Sequence, residues 1–198
     1  MHNENMNDEK KPIKYRFLNY SKYFIKEIIP VTMGVLIALA IGNWNQDNKE
    51  QKYVSEMFVL IDNELNVTNS SIEEVIPMQE SLIDTLQHYS NNIDVNIMQN
   101  IIKIGGVNIA SIKTNAWNAI SNSKLELIDY KIITLLSDIS EEKEILKIKS
   151  NTIVNFVNVN LNASDKEKKE ILILYLRDII GTENSIQENI KKFQKLRE

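Results

Sequence analysis

The succession of apolar and polar positions divides the chain into one unbroken apolar run and a series of striped segments. The run is 23–44, YFIKEIIPVTMGVLIALAIGNW, in which residues 28–41 carry no charge and Thr32 is the one polar side chain. A helix needs roughly 20 apolar residues to cross a bilayer, and the flanks bring the run to that length. Tyr23, Phe24 and Ile25 precede it, and Trp44 closes it with a ring of the kind that settles at the lipid–water boundary. Lys26 is long enough to reach the headgroups. Glu27 is an ionisable group at the membrane edge, tolerable there when wet or paired with Lys22 or Lys26. A buried core helix has this length too, and a cleaved leader would show a small-x-small site such as Ala38-Leu39-Ala40. Against cleavage, the leader is long, Pro30 falls early in the run and no polar stretch precedes the alanine pair. A retained anchor is therefore expected.

Beyond Trp44 the pattern becomes helical. Val54, Phe58, Ile61, Leu65, Thr68, Ile72 and Val75 alternate steps of four and three, a heptad seam. No breaker occurs from 43 to 76, so the anchor is expected to continue outward as one helix, with Pro77 ending it or starting the next. Pro30, lacking an N–H, predicts a kink or a fresh helix start within the run. Met78, Leu82, Leu86 and Tyr89 form a second stripe. A third helix is predicted from an Asp94 cap to Gly105-Gly106, with Ile97, Met98, Ile101 and Ile102 on one face. A short helix capped by Ser111 or Thr114 carries Ala116, Trp117 and Ile120. From Asp129 a longer one carries Ile132, Ile133, Leu136, Ile139, Ile145, Ile148, Ile153, Phe156 and Val157; its part 152–161, rich in Val and Asn, has a strand-like look that its flanks override. Ser164-Asp165-Lys166-Glu167 reads as a capping box. It opens a helix through Leu172, Leu176 and Ile179 that Gly181 stops, and Thr182 opens a last helix with Ile186, Ile190, Phe193 and Leu196.

These elements predict an all-α protein: a single N-terminal transmembrane helix continuing into an antiparallel helical bundle. The expected organisation is a leader at 1–22, disordered over 1–12 and then an interfacial helix with Phe17, Tyr20, Phe24 and Ile28 on one face, a transmembrane helix at 23–44, and a helical domain at 45–198. Charge gives the orientation. Lys10, Lys11, Lys14, Arg16, Lys22 and Lys26 precede the span, and close after it come only Lys49 and Lys52. Basic residues stay on the cytoplasmic side, so the bulk of the chain is expected in the periplasm of a bacterial cell, anchored in the inner membrane. The chain of 198 residues has net charge -4, the excess being acidic beyond the leader, which gives no electrostatic case for nucleic acid. With no cysteine, thiol catalysis, disulfides and thiolate metal sites are excluded. The 5 Gly and 3 Pro are too few for a loop-rich all-β fold.

Candidate chemistry is sparse. Glu80, Asp84 and His88 share a helix face at spacing i, i+4, i+8, a geometry open to a hard metal or a proton relay but usual on solvated bundle surfaces. Glu73, Glu74, Glu141, Glu142 and Glu144 read as solvated. Gly105-Gly106 lacks the lysine and strand of a phosphate loop. No catalytic, cofactor or metal set emerges. Gly34, Ala38 and Gly42 are the more informative set, because small residues on one face of a membrane helix let a second helix approach closely.

Two stretches, YFIKEIIPVTMGVLIALAIGNWNQ and TNAWNAISNSKLELI, resemble the signatures of a family of small bacterial single-pass membrane proteins common in Bacteroidota. The matching positions are Glu27, Gly34, Leu36, Ile37, Ala38, Leu39, Asn43, Trp44 and Asn45, then Thr114, Trp117, Lys124, Leu125, Leu127 and Ile128. Pro30, Gly42, Asn115 and Asn122-Ser123 depart from the pattern. The resemblance implies a single-pass anchor with a helical exterior domain and carries no activity with it.

The function expected on these grounds is binding: a scaffold, sensor or accessory subunit that meets the lipid bilayer and, through the membrane helix, a second copy or another membrane protein. The alternatives are an effector whose anchor perturbs the bilayer, and an enzyme. Trp117 is expected to join the core with Leu125 and Ile128. For the topology, a periplasm-active reporter fused after Glu198 should be active and the same reporter fused before the span should be silent; the reverse pattern overturns the orientation.

Overall fold

A computed structural model describes the backbone of residues 13–197 and the side chains of residues 24–197. The expected disorder of 1–12 and the interfacial placement of Phe17 and Tyr20 lie outside the described residues. The chain divides into two units, Met1–Lys52 and Tyr53–Glu198. The elements are α1 (Ile13–His88), α2 (Ile97–Ile104), α3 (Asn115–Ser121), a 3-10 turn (Leu125–Leu127), α4 (Tyr130–Asn160) and α5 (Lys166–Arg197), with no strand among the described residues. The fold is all-α.

In the first unit α1 passes through Pro30 with no fresh start. A proline removes one bond, here to the Lys26 carbonyl, and leaves the ladder on either side intact. The Thr32 hydroxyl donates to the Ile28 carbonyl. Every residue from 24 to 49 is exposed.

The second unit is organised by seams. On α1 the core positions are Ile61, Leu65, Thr68, Ile72, Val75, Gln79, Leu82 and Leu86, a heptad that runs unbroken past Pro77. Pro77 neither ends α1 nor starts a helix. Its place in a helix interior costs about 3 kcal/mol, and burial of Leu82, Ile83 and Leu86 returns about 1.5–3 kcal/mol each. The second stripe is also corrected: Met78 is 38% exposed and Gln79 takes the core position at 1%.

On α5 the seam is Lys169, Leu172, Leu176, Ile179, Glu183, Ile186, Ile190 and Phe193, all fully buried. Gly181 does not stop this helix and Thr182 does not open another, since α5 runs continuously across both. Thr182 instead bonds back to the Asp178 carbonyl at 3.1 Å. α5 begins behind Asp165, whose Oδ1 accepts from the Lys168 N–H at 3.0 Å, so the cap is Asp165 and not a Ser164 box.

α5 is antiparallel to both long neighbours. Along α1 its contacts run from Lys169 at Tyr89 through Glu183 at Gln79 to Gln194 at Asn66 and Arg197 at Asp62. Along α4 they run from Tyr175 at Phe156 through Asp178 at Lys149 to Asn189 at Glu142. α4 starts at Asp129, where the helical pattern was expected to begin, and the structure makes Asp129 its cap, the carboxylate accepting from the Lys131 N–H at 2.8 Å. It stays helical through 152–160. Its core is Leu136, Ile139, Leu146 and Ile153, whereas the predicted Ile145 and Ile148 are 38% and 67% exposed. Lys143 hides this register, because its stem lies half-buried at a seam position while its ammonium reaches Thr114 Oγ1 at 2.9 Å.

Between α1 and α4 lie the short elements. α2 is capped by Asn96 in a reciprocal box with Gln99, not by Asp94, and buries Ile97 and Asn100 while Met98 and Ile102 face out. It ends as expected at Gly105 and Gly106, whose φ of 90° and 120° let their N–H groups return to Ile102 and Ile101. Thr114, not Ser111, precedes α3, but its hydroxyl is engaged by Lys143 and makes no cap bond.

Gly181 is exposed in the interior of α5, and an added Cβ meets no atom within 4 Å. Gly181→Ala should therefore stabilise the protein by about 1 kcal/mol in a denaturation experiment; a destabilised variant would show that the helix breaks there.

Candidate functional site

Three places in the fold carry features beyond ordinary packing. The first is the apolar stretch of α1. Its most apolar window has mean hydropathy 2.0 and none of it is buried. Gly34, Ala38 and Gly42 lie exposed at helical spacing, and a Cβ built on Gly34 or Gly42 meets nothing within 4 Å. Glu27 and Trp44 are exposed as well, Trp44 at 69%. This helix is long and apolar enough to cross a membrane.

The second place is the surround of Trp117. α3 buries Ala116, Trp117 and Ile120, and the turn after it brings Ile128 into the same core. Leu125 and Leu127, by contrast, are 39% and 41% exposed. The single turn of 3-10 helix between them is too short to turn each of its apolar side chains inward, and Ile128 at its end goes in alone. Leu125 instead borders, with Trp117 and Ile133, a groove of about 490 Å³ rimmed by Asn118, Ser121, Ser137, Ser140, Glu141 and Glu144.

The third place is a polar layer inside the core. Residues 107–114, in neither helix nor strand, lie between α2 and α3 in the chain, with Ala110, Ile112 and Thr114 buried and Ser111 and Lys113 exposed. A partly buried backbone outside helix and sheet must find other hydrogen bonds. Side chains supply them. Ala110 N–H donates to Glu183 Oε1 at 2.8 Å, Ser111 N–H to Ser71 Oγ at 2.9 Å, and Lys113 N–H to Thr68 Oγ1 at 2.9 Å. Ala116 N–H, at the head of α3, reaches Glu64 Oε2 at 3.0 Å. Gln79 Nε2 donates to the Asn108 carbonyl at 2.9 Å and to Glu183 Oε1 at 3.2 Å. Glu183 Oε2 and Gln79 Oε1 are buried and receive no hydrogen bond. Burial pushes the Glu183 carboxyl above the usual carboxylate range, against the pull of its bonds from Ala110 and Gln79.

Lys169 is the other buried ionisable group. Its ammonium donates to the Tyr89 and Asn92 carbonyls at 2.8 Å each, at the C-terminal end of α1, where a cation is favoured by the helix dipole. Burial lowers its pKa, and Asp165 opposes that shift.

The remaining sequence candidates do not converge. Glu80, Asp84 and His88 are exposed, and His88 packs edge-on to Tyr89 with ring centroids 4.7 Å apart. Among the described residues no three His, Cys, Asp or Glu are placed to hold a metal. The sequence reading missed Gln79, Lys169 and Glu183. The available signal was spacing: each falls in heptad register with its apolar neighbours.

Compared with protein-family models, curated proteins and solved structures, the chain matches none.

Trp117 is 5% exposed, so Trp117→Ala should destabilise the Tyr53–Glu198 unit by about 3–5 kcal/mol. An unchanged unfolding midpoint would contradict the burial of the ring.

Proposed function

We propose that the protein is a single-pass bacterial inner-membrane protein that works by binding, as a scaffold, sensor or accessory subunit, and that its contact with a partner is made chiefly through the membrane helix. The observation that carries this reading is the full exposure of residues 24–49 in a helix whose apolar window has mean hydropathy 2.0. In water such a surface would be covered by the rest of the chain, as a core helix is. Lipid covers it without any protein contact, and the resemblance at Glu27, Gly34 and Trp44 supports the same placement. The basic leader supports a cytoplasmic N-terminus and a periplasmic Tyr53–Glu198 unit.

The choice of contact surface follows from what is left uncovered. The 54–75 seam is consumed internally, with Ile61, Leu65 and Ile72 at 1%, 2% and 0% exposure. The Gly34, Ala38 and Gly42 face has no partner within the described chain. In lipid, apolar burial gives no drive to pair, and close backbone approach over small residues supplies it instead. The partner is then a second membrane helix, from another copy of this chain or from a different protein.

Gly34→Leu combined with Ala38→Leu should strongly reduce crosslinking of the protein in membranes while leaving the unfolding of the Tyr53–Glu198 unit unchanged. Crosslinking that persists in the double variant shows that the contact lies elsewhere.

A further inference from the structure

The polar layer at Glu183 has an asymmetry that burial alone does not require. Oε1 accepts two hydrogen bonds, from Ala110 N–H at 2.8 Å and Gln79 Nε2 at 3.2 Å, while Oε2 is buried with no donor. A carboxylate spreads its charge over both oxygens, so ionised Glu183 would leave half of that charge unsolvated in a closed core. The α1 residue that meets it is Gln79, set in the seam between Val75 and Leu82, and the 107–114 segment has no titratable side chain from Val107 to Ile112. The charged groups of α4 on this side are engaged elsewhere: Lys143 with Thr114, Lys147 with Glu144, Lys149 with Asp178 and Thr182, and Glu142 with Ser185 and Asn189. On α5 the charged groups nearest along the helix are Asp178, paired with Lys149, and Glu188, paired with Lys192. No cation is bonded to Glu183 among the described residues.

We propose that Glu183 carries a proton on Oε2 in the folded protein, and that this neutral carboxyl holds the 107–114 segment against α1 and α5, so that ionising it loosens the segment. A neutral carboxyl keeps both bonds to Oε1 and removes the charge from the oxygen that has no donor. Once ionised, Oε2 gains a donor only from water, and water reaches it when the segment lifts at Ala110. The Gln79 side chain couples the two sides of the latch, since the same Nε2 bonds Glu183 and the Asn108 carbonyl. The direction of the pH dependence follows. The folded carboxyl titrates above its unfolded value, so the folded protein retains a proton that the unfolded chain has released. That contribution to stability is full below the ordinary carboxylate range and is lost as pH rises through the raised value.

The test uses the full-length protein in detergent micelles, as wild type and as Glu183→Gln, unfolded thermally from neutral pH down to the ordinary carboxylate range. The wild-type midpoint should rise as pH falls across that window. Glu183→Gln, a permanent neutral carboxyl mimic, should match or exceed wild type at neutral pH and lack that rise. Infrared difference spectra should show a buried protonated-carboxyl stretch in wild type that is missing from the variant. Amide exchange in peptides covering Ala110 should slow in the variant at neutral pH. Equal pH slopes in the two proteins, or no protonated-carboxyl stretch in wild type across the window, overturn the proposal. Should Glu183→Gln fail to fold, Gln79→Leu decides. Loss of a donor to Oε1 should move the titration of the carboxyl stretch to higher pH, and an unmoved stretch overturns the assignment.

Discussion

The burial of one face of α5 between α1 and α4 is the interaction on which the rest of the Tyr53–Glu198 unit depends. Apart from Lys169 and Glu183 the face is apolar, and every residue of it from Lys169 to Phe193 is fully buried. Neither neighbour could hide its own seam without it, because the part of α1 in this unit and α4 are each striped on one side. This explains two departures from local rules. Pro77 and Gly181 both oppose a continuous helix, by about 3 and about 1 kcal/mol. Both are overridden because breaking the helix there would put the following seam residues out of phase with a partner already in place.

The polar groups within these seams work differently from the apolar ones. Gln79, Glu183 and Lys169 contribute little by burial and carry a desolvation penalty. What they supply is register. Lys169 meets the carbonyls at the end of α1, and Glu183 meets Gln79 and the Ala110 N–H, so a slip of α5 by a heptad would strand an ammonium and a carboxyl in the core. A purely apolar three-helix seam has no such preference. Gln79 and Glu183 also bond the 107–114 backbone, at the Asn108 carbonyl and the Ala110 N–H, where there is no sheet to join. One buried layer thus sets helix register and holds a connecting segment.

The apolar stretch of α1 in the first unit presents a different surface. Every residue from 24 to 49 is exposed. The two units therefore divide the work of the proposed function: one meets lipid and a partner helix, and the other is a closed fold whose seam is used internally. The groove at Trp117 is an open, mostly apolar feature of that fold, with hydroxyl, amide and carboxylate groups along its rim.

Where local chemistry acts alone, the sequence was enough. The apolar run, the Gly105-Gly106 stop, the start of α4 at Asp129, the buried Trp117 and the all-α class follow from composition, spacing and backbone preference, and the structure has them. The small-residue face at Gly34, Ala38 and Gly42 was equally legible, since it requires only helical spacing. Tertiary structure decided the rest. It carried α1 past Pro77 and α5 past Gly181, put Leu146 in place of Ile145, and turned Leu125 out while Ile128 went in. It also placed Gln79, Lys169 and Glu183 in the core, which no count of polar residues would do. The physical reason is that a propensity or a cap is a term of about 1 kcal/mol set by neighbours in sequence, whereas a seam is a sum over many buried side chains whose partners lie on another helix. A polar residue belongs inside only when its hydrogen-bond partner, distant in the chain, has already been brought opposite to it.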